Sequence, residues 1–256
     1  MLRPVRGREP APAARVRDEV RAVRDRRFGP ATGRLRLDPP GEYSWPALAS
    51  VPRDANGYFP LFEAGLRRNL KTVQGAVEVL RSGADGKPSL QLRPEPAGDQ
   101  PPRALLAVDA GEFADFEIQL RVVLPDPRSN LGLAWRQRRD SRDGGPGLAL
   151  LAGTDGRPGQ VAVWWADGSG RPQRPAVERA SGEVVAGRAM DVRLTVVGRL
   201  HRLTVNGTLV FEEELFDEAS NRPGHLLIAG QGGDVQIQGV RLAVFDGKTR
   251  PGRLRP

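Results

Sequence analysis

The stretch Asp115-Phe-Glu-Ile-Gln-Leu-Arg-Val122 alternates apolar and polar side chains without a break. In an extended strand successive side chains point to opposite faces. Phe116, Ile118, Leu120 and Val122 therefore share one face, and Glu117, Gln119 and Arg121 the other. This is the pattern of an antiparallel strand with one face on a core. Val192, Leu194 and Val196 repeat it around Arg193 and Thr195, and Val235 and Ile237 repeat it around Gln236 and Gln238.

Shorter runs fit the same plan: Ala76–Leu80, Ser89–Arg93, Ala104–Val108, Leu131–Arg136, Gly147–Ala152, Val161–Trp165, Leu203–Val205, Leu209–Glu212, Leu226–Ala229 and Val240–Phe245. Nearly all are bounded by Gly, Pro, Asp or Asn. Asn206-Gly207, between two apolar runs, is a hairpin signal, because a two-residue type I′ turn needs positive φ at both positions. Many short strands at close spacing, with no strand–helix alternation, predict an all-β sandwich or jelly roll. The 31 Gly and 23 Pro among 256 residues agree, since both break helices.

The net charge of +8 is unevenly placed. Residues 1–40 hold 11 Arg against 5 acids, net +6, which leaves +2 for the other 216 residues. That segment reads as an arginine-rich arm, disordered or partly helical: Val16, Val20 and Val23 recur at helical spacing between charges. An acidic partner or polyanion would suit it, although Phe28 is its one aromatic, too few for a stacking platform on single-stranded nucleic acid. Residues 41–56 read as a Pro-rich linker, part of which packs on the domain through Tyr43 and Trp45. The β domain spans 57–247, and 248–256 form a disordered tail. Without cysteine there is no disulfide, thiolate metal site or cysteine nucleophile. Neither a signal peptide nor a span of roughly 20 apolar residues is visible, so the cytoplasm is the default expectation.

Catalytic signatures are sparse. His201 and His225 stand apart without metal-ligand spacing, so no metal and no cofactor is expected, and each imidazole is expected at an exposed position beside a turn. Glu212, Glu213, Glu214, Asp217 and Glu218 form an acidic run whose default is solvated charge. A paired-carboxylate mechanism needs two groups about 5–10 Å apart, and Glu212 and Asp234 are the candidates. Aromatics carry more. Alternation sends Trp165 inward with Val161 and Val163 and leaves Trp164 outward with Ala162. In Leu131–Arg136 it buries Trp135 and turns Arg136 outward beside Gly132 and Ala134. An outward Trp and Arg over small neighbours suit a sugar, whose apolar face stacks on an aromatic ring. The alternative is that the linker covers that face.

The order of motifs resembles the 3-keto-disaccharide hydrolase domain, a concanavalin A-like, family-16-glycoside-hydrolase-like family. The resemblance rests on Gly57-Tyr-Phe-Pro-Leu-Phe62, Gly111-Glu-Phe-Ala-Asp-Phe-Glu-Ile118, Ser129-Asn-Leu-Gly-Leu-Ala-Trp-Arg136, Ala186-Gly187, Val205-Asn206-Gly207, and Gly224 through Val240-Arg-Leu242. It implies a concanavalin A-like jelly roll with sugar-directed polar residues on its concave sheet. Arg136 matches the family arginine, but the expected acid falls at Ala149, the expected Gln and His at Ala229 and Gln231, and the expected Arg-Asn at Gln238-Gly239. Losing a general acid or base costs 10²–10⁴-fold in rate. The resemblance therefore points to a non-catalytic carbohydrate-binding module with Arg136 and Trp164 as ligand contacts. Two alternatives stay open: a hydrolase or lyase acting on (3-keto-)glycosides, and an interaction scaffold tethered by its basic arm.

Overall fold

In the computed structural model the described residues are Leu48, 51–82, 86–97, 100–109, 111–137, 145–153, 157–166, 177–215 and 223–245. The expected arm, most of the linker, Tyr43, Trp45, Asp217, Glu218 and the C-terminal tail lie outside them. The described strands are β1 (Phe59–Glu63), β2 (Leu66–Arg67), β3 (Leu70–Gln74), β4 (Ala76–Leu80), β5 (Ser89–Arg93), β6 (Glu95–Ala97), β7 (Gln100–Val108), β8 (Asp115–Val123), β9 (Asn130–Gln137), β10 (Gly145–Leu151), β11 (Gly159–Ala166), β12 (Val177–Ser181), β13 (Ala189–Val197), β14 (Leu200–Val205), β15 (Thr208–Glu214), β16 (His225–Gln231) and β17 (Val235–Phe245). No helix occurs among the described residues, and none is long and apolar enough to cross a membrane.

The strands form two antiparallel sheets. The back sheet runs β15-β14-β13-β8-β17-β1-β2, with β5 and β4 added beside β17; the front sheet runs β12-β11-β10-β9-β16-β7-β3, with β6 beside β7. Phe116, Ile118, Leu120 and Val122 are all buried, as their alternation predicts, and the facing layer is supplied by Leu131, Leu133, Leu148, Leu150, Val161 and Ile228. Val235–Ile237 and Val240–Phe245 join into the single strand β17, whose register against β8 shifts between Ile237 and Gly239. The Asn206-Gly207 turn has φ of 50° and 81°, as a type I′ hairpin requires.

A segment leading into β1 packs on the domain. Leu48 and Val51 are buried in the hydrophobic core, and Arg53 lies 4.6 Å over the Phe59 ring. Tyr58 caps the outer side of the back sheet. There Glu117, one of the polar positions of β8, is fully buried. Its carboxylate accepts from Tyr58 Oη (2.5 Å), Thr195 Oγ1 (2.8 Å) and Gln119 Nε2 (3.0 Å) and lies 3.3 Å from Arg193 Nε. Burial and the neighbouring carboxylate push the Tyr58 hydroxyl well above its ordinary pKa, so it remains a donor.

A buried carboxylate is stable only while its partners are in place. Glu117→Ala, which strands Arg193 and the Tyr58 hydroxyl, is expected to lower unfolding free energy by about 3 kcal/mol in urea melts, whereas Tyr58→Phe should cost about 1–2 kcal/mol.

Candidate functional site

The outer face of the front sheet is built from small residues in register. Gly132 on β9 pairs with Ala149 on β10 and Ala229 on β16, and Ala149 pairs in turn with Ala162 on β11. In the next row Ala134, Gly147 and Trp164 stand side by side. Ala149 and Ala229, where the resemblance led us to expect polar residues, thus lie in one row of the floor.

Trp164 is half-buried. A Cβ placed on Gly147 would come within 3.2–3.5 Å of the Trp164 indole atoms Nε1, Cε2 and Cζ2, so the ring leans across β10 and rests on the glycine. The indole is thus seated against the backbone of β10 and stays partly exposed. Trp165, expected in the core, is half-buried instead, next to the end of β11.

Arg136 requires a correction. It does not turn outward: its side chain is 2 % exposed and points between the sheets. The cause is a break in alternation. Arg136 adopts a left-handed φ of 55°, and the β9–β16 register shifts between His225 and Leu227, so two residues of β9 oppose one of β16. Trp135 and Arg136 both go inward. From there the guanidinium reaches the back sheet, where Nε and Nη2 donate to Ala114 O (3.1 and 2.8 Å), Nη2 donates to Gly198 O (2.8 Å) and Asp115 Oδ1 lies 3.6 Å away. Burial lowers its pKa to about 10, with Asp115 opposing the shift, which leaves it charged at neutral pH.

His201 is likewise corrected, from an exposed turn residue to a fully buried one. Its Nδ1–H donates to Arg199 O at 2.7 Å, and its ring lies 5.5 Å from that of Trp135. Desolvation pushes its pKa down to about 4; the Arg199 carbonyl opposes this and Arg136 adds to it. His225 is a quarter exposed, with Nε2 3.8 Å from Glu112 Oε1. Among the described residues no group of three His, Asp or Glu side chains could hold a metal ion.

The candidate carboxylates do not form a pair. Glu212 sits on β15, 3.6 Å from Arg202, whereas Asp234 precedes β17 and accepts from Gln91 Nε2 at 2.5 Å. Four strand-to-strand steps separate β15 from β17, roughly 19 Å at ~4.8 Å per step. That exceeds the span of a two-carboxylate mechanism. The neighbouring acids are engaged as well, Glu213 with Arg179 (2.6 Å) and Glu214 with Arg199 (3.8 Å). A groove of about 470 Å³ opens at one end of the sandwich, between Pro127, Arg157 and Val184. Its glycines answer to packing, since a Cβ on Gly159 would fall 2.2 Å from Val184 O.

The sequence missed one polar group of the front face. Beyond the bulge Gln137 faces outward, and its amide lies over Gly145 as the Trp164 indole lies over Gly147. No pattern in the sequence marks it, because the bulge that turns it outward depends on tertiary contacts.

The carbohydrate recognition domain of Emp47p superposes with a TM-score of 0.53 at 13% identity, covering 76% of this chain and 100% of that one. A glycoside hydrolase family 16 endo-glucanase from Bacteroides ovatus gives 0.50 at 11% identity, covering 68% and 93%. The fold is a concanavalin A-like β-sandwich. No family model and no curated protein matches the chain.

Because His201 stays neutral in the folded domain until about pH 4 but takes up a proton near pH 6.5 once unfolded, the unfolded chain binds more protons between these values. Its contribution to stability is full above pH 6.5 and is lost as pH falls toward 4, by roughly 3 kcal/mol. Urea melts across this range should show that loss, and His201→Phe should flatten it.

Proposed function

We infer that this chain is a carbohydrate-recognition β-sandwich, a divergent relative of the 3-keto-disaccharide hydrolase domain, that binds sugar on the outer face of its front sheet without cleaving it. The observation that carries this reading is the half-buried Trp164 indole, resting on Gly147 at the border of a floor made of Gly132, Ala134, Ala149 and Ala162. A pyranose has an apolar face that stacks on an aromatic ring, and small neighbours allow it to approach the backbone. Fold likeness to a carbohydrate recognition domain and to a glycoside hydrolase supports the substrate class by analogy.

Absence of turnover is supported by the same floor. The row Gly132, Ala149, Ala162 and Ala229 carries no carboxylate, and Glu212 and Asp234 belong to the other sheet's side of the molecule. Arg136, expected as a ligand contact, serves this reading from beneath the face by holding β9 in position. Trp164 is the contact retained.

Trp164→Ala should weaken glycan binding by about 30-fold, the ~2 kcal/mol typical of a central tryptophan, measured by calorimetry on a hit from a glycan array. Its melting temperature should stay close to that of the parent. A hit that ignores Trp164 would refute the site, and product release from 3-keto-glucosides or common oligosaccharides would refute the non-catalytic half.

A further inference from the structure

Gly145 and Gly147 are alternate residues of β10, about 6.8 Å apart at ~3.4 Å per residue, and both point to the outer face. Gln137 from β9 occupies the place over the first, and Trp164 from β11 the place over the second. The carboxamide and the indole therefore stand next to each other. His225, the first residue of β16, pairs with Gln137 on β9, and Glu112 lies beside His225.

The orientation of the Gln137 amide follows from its partners. Nε2 is 3.4 Å from both Trp135 O and Pro146 O. Both are carbonyl oxygens, which accept only, so the NH₂ must face them and Oε1 must turn away. No described residue donates to Oε1. Glu112 contributes a second acceptor, a carboxylate whose side chain is 55% exposed.

We propose that Gln137 and Glu112 form the hydrogen-bond-accepting half of the site whose stacking half is Trp164, and that this selects neutral, hydroxyl-rich sugars over uronic-acid sugars. The inference rests on the sugar-binding reading above. A hydroxyl on or next to the stacked ring donates to Gln137 Oε1. A carboxylate there would meet a lone pair and the negative charge of Glu112, with no proton to offer either.

The test is calorimetry on the full chain with neutral hexose oligomers and uronic-acid oligomers of matched length. Only binding abolished by Trp164→Ala is counted, because the arginine-rich residues 1–40 attract polyanions by charge alone. Neutral oligomers should bind at least about ten-fold more tightly, and Gln137→Met should weaken them about ten-fold. Since Gln137 also packs on Gly145, the exposed Glu112→Gln is the second variant, expected to narrow the neutral–uronate gap several-fold with an unchanged melting temperature. Equal or tighter Trp164-dependent binding of uronates overturns the selection and leaves the sugar site standing, as does a gap that Glu112→Gln does not alter. Failure of both series to bind through Trp164 overturns the sugar site itself.

Discussion

A guanidinium buried between two sheets sets the terms for much of this domain. Arg136 belongs to the front sheet, but its hydrogen bonds end on the carbonyl of Ala114, just before β8, and of Gly198, in the β13–β14 turn, and its ion pair on Asp115 at the start of β8, all at one end of the back sheet. Burying a charge is costly unless its donors are used and a countercharge is near; here both conditions hold. To reach those partners β9 gives up its alternation at Arg136. The same break that sends Arg136 inward brings Gln137 out beside Trp164. An interaction inside the sandwich thus determines which polar group its surface presents.

The two outer faces have different fates. On the back sheet, the approach to β1 lays Tyr58 over Glu117, and a network of Thr195, Gln119 and Arg193 closes around the carboxylate. On the front sheet, paired Gly and Ala positions keep the floor low from β16 to β11. Polar groups are thus concentrated on the face that is capped, and small groups on the face that carries the indole.

The strands and the core were largely legible: β13 alternates strictly, and the alternate apolar residues Phe116, Ile118, Leu120 and Val122 of β8 fill one face, although Glu117 is buried on the other. β3 and β12 escaped notice: as border strands they bury one face only in part, and Leu-Lys-Thr-Val-Gln and Val-Glu-Arg-Ala-Ser carry too few apolar residues to show a period. Arg136 was misjudged because positive φ at a non-glycine residue leaves no mark in the sequence. The burial of His201 escaped for a related reason, since its place beside Trp135 and the Arg199 carbonyl exists only after the sheets close. Trp164 was placed on the outer face, while Gln137 comes to lie over the same strand, β10, only through register and could not have been paired with it beforehand.

Gly145 and Gly147 add one more consequence. Each is a shallow seat in β10, filled by a side chain from a neighbouring strand. Because the indole and the carboxamide come to rest during folding, their rotamer entropy is spent before any ligand arrives. The stiffness of the contact surface is thus held by two residues that have no side chains and lie beneath the groups a ligand would touch.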